Sequence, residues 1–355
     1  MANRHNITFN TEAEYDTFKA SSGYVEPNVS YIIENNVVHY NSVPPPPPPP
    51  PPHDYSQDYL TFVATESGTF KFSRNGISYS LDSGSTWTSL SSNTNTPTVS
   101  AGSKIMWKAT LTPGGYPSYG IGKFSSSGNF TVEGNAMSLL YGDDFVGQTN
   151  LSEKSNAFNE LFKGCTGMTS AESLSLPATT LGDDCYESMF SGCTSLTVAP
   201  ELPATTLADW CYYFMFAYCT NLTTTPELSA TTLASYCYSH MFQGCSSLTT
   251  AQELPATTLQ QQCYDSMFSG CTSLTTAPEL PATTLINQCY QCMFDGCTNL
   301  NYIKAMFTTT PSTTYMSNWV SGVASSGTFV KNSAATWTSY CGVSTYPCNW
   351  TVQTA

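Results

Sequence analysis

Cysteine is the side chain of this sequence with the greatest capacity for chemistry. There are fourteen, twelve of them between Phe158 and Leu300. Eleven fall in two phased series: Cys185, Cys211, Cys237, Cys263 and Cys289, then Cys165, Cys193, Cys219, Cys245, Cys271 and Cys297. Neighbours in each series are 26 residues apart, apart from one step of 28 between Cys165 and Cys193. A zinc site asks for four ligands, usually as close pairs of Cys or His. Cys289-x-x-Cys292 is one such pair, and no second pair accompanies it. Disulfide frameworks belong to short secreted chains, so phased thiols in a chain of 355 residues read as small buried apolar groups in a ladder. Cys341 and Cys348 lie beyond the repeat and could pair within a terminal cap, a point the sequence leaves open.

Carboxylates are the second candidates. Glu201, Glu227, Glu253 and Glu279 recur with the same period. Like charges stacked at that interval repel, so they are either solvated or bridged by a cation such as calcium; solvated is the expectation. Glycoside hydrolysis needs two carboxyls in different environments across one cleft, whereas Asp183 and Asp184 are adjacent and occur in one unit only. His240 is the single histidine of the repeats and reads as a surface or packing residue. There is no Ser-His-Asp context, phosphate loop or cofactor fingerprint. The expectation is a non-enzyme without cofactor or metal. Binding is better supplied: Thr205-Thr206, Thr231-Thr232, Thr257-Thr258 and Thr283-Thr284 form a hydroxyl ladder, and Tyr212, Tyr238, Tyr264 and Tyr290 an aromatic column. Hydroxyls beside aromatic rings suit a carbohydrate. The plainer alternative is half-buried core tyrosines and threonines that satisfy turns. The candidate contact surface is therefore the eight threonines together with the four glutamates.

These side chains must be positioned by the repeat itself. A fixed period of this length marks a solenoid. Leu207, Cys211 and Met215 are four apart, with Tyr212 and Phe216 beside them, which predicts one short amphipathic helix per unit. Cys219-x-x-Leu222 and Leu228 read as an extended stretch edged by Pro226, and Leu202-Pro-Ala-Thr-Thr turns the chain toward the next unit. No such unit buries its apolar face alone, so stacking must supply the core. At about 4.8 Å between strands, five to six units make a block roughly 25 to 30 Å long.

The flanks differ in character. Residues 1–42 read as a small α+β module: a strand at Asn6–Asn10, a capping box from Thr11 to Glu14 opening a helix, and a hairpin of Ser30–Glu34 and Val37–Tyr40 around Asn35-Asn36. Residues 43–53 are a linker with nine consecutive prolines, Pro44 to Pro52, a polyproline II rod of roughly 28 Å. Residues 54–148 alternate apolar and polar over short runs with frequent turns, which indicates a β-sandwich, and a strand over Met137–Tyr141 is expected to lead into the repeats of 149–303. Residues 304–355, with Phe329, Trp337 and Trp350, read as a strand-rich C-terminal cap. The fold class is thus multi-domain and mainly β, with α/β repeats. Charge narrows the partners. Formal net charge is −14, and Arg4 and Arg74 are the only arginines, which argues against nucleic acid and anionic membranes. No apolar stretch has the length of a signal peptide or a transmembrane helix.

The units Cys185-Tyr-x-x-Met-Phe-x-Gly-Cys193-Thr-Ser-Leu196 and Cys263-Tyr-x-x-Met-Phe-x-Gly-Cys271-Thr-Ser-Leu274 resemble BspA-type leucine-rich repeats, over about 140 residues. Such repeats occur in surface and adhesin-like proteins of gut bacteria and in virion proteins of their crAss-like tailed phages. Departures are local: Ala217-Tyr218 replaces x-Gly, Ser229 replaces Pro, and Cys292 is an additional thiol. Tyr24–Tyr40 also resembles short segments at the start of phage structural proteins. The resemblance implies a leucine-rich-repeat head carried by a virion. Residues 1–42, with Tyr31, Ile33, Val37 and Tyr40, would then attach to a virion structural protein, and the repeats would touch a host surface glycan or protein. A location on the virion surface is implied with it, and a homo-oligomer, favoured as a trimer, is expected from the small N-terminal module and the proline rod. The alternatives left open are a purely structural virion protein and a bacterial cell-surface adhesin.

Overall fold

The computed structural model describes residues 31–34, 37–40, 54–114, 120–337, 342 and 346–355. The chain divides into two compact units, Met1–His53 and Asp54–Ala355. In the first, β1 (Tyr31–Glu34) and β2 (Val37–Tyr40) pair antiparallel. The register joins Tyr31 to Tyr40, Ile33 to Val38 and Glu34 to Val37, as the hairpin reading requires. The expected strand at 6–10, the helix opened by Thr11 and the proline rod all lie outside the described residues.

The second unit is mainly β. Its first part is a six-stranded sheet in the order β10-β9-β3-β7-β5-β6, built from β3 (Leu60–Ala64), β5 (Ile77–Ser80), β6 (Thr88–Leu90), β7 (Lys104–Ala109), β9 (Phe130–Asn135) and β10 (Met168–Ser175). A two-stranded ribbon of β4 (Phe70–Phe72) and β8 (Phe124–Ser126) packs across it. Alternation of apolar and polar residues sends every second side chain inward. Phe62 thereby meets Phe70 at 5.2 Å and Phe124 at 4.8 Å, and Trp107 meets Phe124 at 5.0 Å. The turn at Ser83-Gly84 is tied by Asp82, which accepts from Ser80 Oγ (2.7 Å), Thr86 N (2.9 Å) and Thr86 Oγ1 (2.6 Å). Those bonds hold the Asp82 carboxyl down at about 2.

Two expectations fail at this point. Met137–Tyr141 is not a strand: Ser138–Tyr141 forms one helical turn, α1, because Ser138 is held inside, donating to Trp107 O and accepting from Leu60 N. The sheet also crosses the boundary placed at 148/149. β10 belongs to the first repeat and pairs parallel with β9, so the β-rich part and the repeats share one sheet.

The repeats stack as successive coils, but not as strand plus helix. Among the described residues α-helix is confined to α1 and α2 (Thr313–Met316), and neither lies in the repeating coils. The apolar segment of each coil is a ladder of turns. Alternate amides bond three residues back within the coil, as Glu187 N to Asp184 O and Met189 N to Tyr186 O. The amides between them donate to the next coil, as Tyr186 N to Cys211 O, Ser188 N to Tyr213 O and Phe190 N to Met215 O. Every fourth residue has positive φ, for example Trp210 (61°), Phe214 (55°) and Tyr218 (62°). The physical reason lies in the spacing. An α-helix advances about 100° per residue, so positions four apart drift by roughly 40° each step. A turn ladder of period four keeps Leu207, Cys211, Met215 and Cys219 on one side. The extended stretches are likewise single parallel bridges, at Thr206↔Thr232 and Thr224↔Thr250, not strands.

Stacking puts like side chain upon like. Phe162, Phe190, Phe216, Phe242, Phe268 and Phe294 form one column, their rings 5.2 to 5.8 Å apart and within about 20° of parallel. Phe158, Tyr186, Tyr212, Tyr238, Tyr264 and Tyr290 form a second at 5.7 to 6.0 Å. At one end Phe162 stacks on Phe124 of β8. At the other both columns close on Trp319, beyond which β11 (Tyr302–Ala305), β12 (Thr328–Lys331) and β13 (Thr351–Thr354) run parallel. No helix among the described residues is long and apolar enough to cross a membrane.

Candidate ligand-contact surface

All eight candidate threonines are exposed, as are Glu201, Glu227, Glu253 and Glu279. Backbone bridging sets the interval: Thr180, Thr206, Thr232 and Thr258 join coil to coil in parallel register. The column loosens at its last rung, where Thr308 N donates to Thr283 O and the Thr309 hydroxyl accepts from Leu285 N. Glu279 accepts from Lys304 Nζ at 2.9 Å, a partner at the end of the glutamate column. The structure therefore brings the threonines and glutamates together as one outward, periodic polar surface.

The tyrosines do not join it. Tyr212, Tyr238, Tyr264 and Tyr290 are each 1% exposed, inside the aromatic column. Of the two readings left open at these positions, a sugar-stacking face and a core column, the structure has the core column. Burial pushes their phenols well above the ordinary value, with neighbouring thiols adding to it.

The thiols are likewise interior. Cys165, Cys193, Cys219, Cys245, Cys271 and Cys297 each donate to a phenylalanine carbonyl of the preceding layer, at 3.0 to 3.2 Å. Cys165 reaches Phe124 O of β8, so the sheet serves the first coil as a coil serves the next. Burial pushes Cys165, Cys245 and Cys297 up to about 12. Twelve described cysteines are free thiols, Cys292 being half-buried and the other eleven buried. Cys348 is disulfide-bonded, and Cys341 lies outside the described residues. Among the described residues no three His, Cys, Asp or Glu side chains converge as a metal site.

The turn ladder carries a further cluster that the column reading missed. Trp210 and Tyr236, one coil apart, stack at 3.7 Å and 9°, and Phe214 and His240 at 4.3 Å and 5°. Tyr213 stands perpendicular to Trp210, Phe214 and His240, at 85°, 85° and 88°. All five rings are half-buried, and Tyr218 beside them is 50% exposed. Acids border the cluster. Glu187 accepts from Asn159 Nδ2 at 2.6 Å, and Asp265 from Gln262 Nε2 (3.1 Å) and Ser266 Oγ (2.8 Å). Burial, then the nearby carboxylates, raise Asp184 and Glu187 above the usual carboxylate range. Burial also lowers the His240 imidazole, against the pull of Asp265. The signal was present in sequence: at the positions of Trp210, Tyr213 and Phe214 the preceding coil has Asp184, Glu187 and Ser188.

Comparison with protein-family models, with curated proteins and with solved structures finds no match to the chain.

Proposed function

We propose that the chain is a non-enzymatic adhesion protein of a phage virion, a fibre or decoration whose leucine-rich-repeat solenoid meets a host surface glycan or protein. In this reading residues 1–42 attach to a virion structural protein, residues 43–53 space it from the head, and the β-rich part and the C-terminal strands close the two ends of the stack. The observation that carries the reading is the outward ladder of Thr205, Thr231, Thr257 and Thr283 with Glu201, Glu227, Glu253 and Glu279, all exposed, beside thiols and phenols held inside. Such a surface offers repeated polar contact along its length. The resemblance of the repeats to BspA-type units supplies the virion and the host.

Cosedimentation of the full-length protein with gut-bacterial cells tests it. Saturable binding, reduced when Thr205, Thr231 and Thr257 are replaced by lysine, is the expected result. A chain that ignores every strain tested, although residues 1–42 carry a reporter onto particles lacking the native protein, would leave a structural virion protein instead.

A further inference from the structure

The half-buried aromatic cluster is a local departure that the stack does not require. Other coils pack with Asp184 or Gln262 at the position of Trp210, and with Ser188 or Ser266 at that of Phe214. Trp210, Phe214, Tyr236 and His240 moreover sit at φ of 61°, 55°, 58° and 56°, where a side chain larger than glycine's costs on the order of 1–2 kcal/mol. The turn ladder imposes that φ on every coil, as at Asp184, Ser188, Gln262 and Ser266, so it is the rings themselves that set this place apart. Ser239, which lies between Tyr236 and His240 in sequence and aligns with Tyr213, has a buried hydroxyl with no hydrogen-bond partner in the structure.

Ligand class follows from what surrounds the rings. Tyr213 meets Trp210 and Phe214 edge-on, and at the aligned positions of the preceding coil stand the smaller Asp184 and Ser188, so no ring stacks parallel on them from that side. Flat apolar faces beside polar groups match a pyranose, which has an apolar face and a hydroxyl rim. The bordering carboxylates already accept from neutral donors: Asn159 to Glu187, and Gln262 and Ser266 to Asp265. Mixed acceptors, amides and hydroxyls suit sugar hydroxyls, which both give and take hydrogen bonds; an ammonium group would need acceptors alone. Between Lys163 and Lys304 the sequence has no lysine or arginine, so nothing there would balance a sulfate, phosphate or carboxylate on the ligand.

We propose that this ledge is a binding site for neutral hexose or N-acetylhexosamine units, with Trp210 and Phe214 as stacking faces and the half-buried Glu187 as hydroxyl acceptor. It deepens the adhesion reading and rests on it for the source of the glycan, while giving the contact a second location away from the threonine column.

The test uses the full-length chain and the double variant Trp210→Gln with Phe214→Ser, residues that sibling coils carry, so that the stack is kept; near-ultraviolet circular dichroism checks this. Neutral oligosaccharides, their sialylated and sulfated forms, and a lysine-rich peptide are titrated by calorimetry, and cell binding is measured in parallel. Neutral sugars should bind and should lose at least tenfold in affinity in the double variant. A chain that binds no neutral sugar, binds one equally well in the double variant, or prefers the acidic glycans or the peptide overturns the proposal. Cell binding that survives the double variant but falls with the threonine variant sinks this site and leaves adhesion standing. Sugar binding through Trp210 without cell binding does the reverse.

Discussion

Thiol accessibility probes the stacked-coil interior most directly. Eleven of the twelve free thiols are buried, and six donate to backbone carbonyls of the preceding layer. For Cys245, burial moves the thiol from 9.0 to about 12. At pH 8 its thiolate fraction then falls from about one in ten to about one in ten thousand, and the thiolate is the reacting form. Loss of contact with solvent slows reagent access further. Titration with a chromogenic disulfide reagent at pH 8 should therefore show one fast thiol, the half-buried Cys292, and eleven that react only as the stack opens. In denaturant without reductant the count should reach twelve, Cys348 being held in its disulfide. Cys292→Ser should abolish the fast phase. Three or more fast thiols in the native chain would refute the buried ladder, and fewer than twelve in denaturant would mean that neighbouring coils are cross-linked.

Three other predictions follow from the same packing. Because Cys165, Cys245 and Cys297 are raised to about 12 in the folded chain, their contribution to stability is intact below about pH 8.5 and is lost as pH climbs toward 12, by up to about 1.4 kcal/mol per pH unit for each thiol; urea midpoints should fall steeply between pH 9 and 10.5, and a flat profile would count against it. Phe242→Ala removes a fully buried ring stacked at 5.6 Å on Phe216 and 5.7 Å on Phe268, and should cost about 3–5 kcal/mol and split urea unfolding into two steps, since coils contact only their neighbours; a loss under about 1 kcal/mol would contradict the column. Tyr218→Gly restores the residue that Gly192 and Gly270 provide at the same rung, all at φ between 62° and 75°, and should raise the thermal midpoint by the equivalent of up to about 1 kcal/mol; a marked drop would show that the Tyr218 ring holds its coil in place.

Much of this architecture was legible because the repeat repeats. Cys211, Met215, Phe216 and Leu222 were identifiable as interior from their phase, and their burial is complete. The threonine and glutamate columns were legible for the same reason and are exposed. Local conformation was harder. Spacing by four was assigned to a helix, although a strict four without the usual alternation of threes and fours is itself the mark of a different path. Tyr212 shows the second difficulty: a periodic aromatic is equally compatible with a core column and a sugar-stacking face, and only the neighbours above and below decide.

The sequence by itself determined the period, the interior set, the hairpin pairing of Tyr31 with Tyr40, and the acidic net charge. It did so because these depend on composition and on residues that repeat in phase. The tertiary structure decided that the coils are turn ladders, that β10 of the first coil completes the neighbouring sheet, and that Trp210, Tyr213, Phe214, Tyr236 and His240 meet as one cluster. Residues 26 apart become neighbours only when one coil lies on the next, so a pair such as Trp210 and Tyr236 has no meaning in the linear chain until hydrogen bonds between coils fix the register.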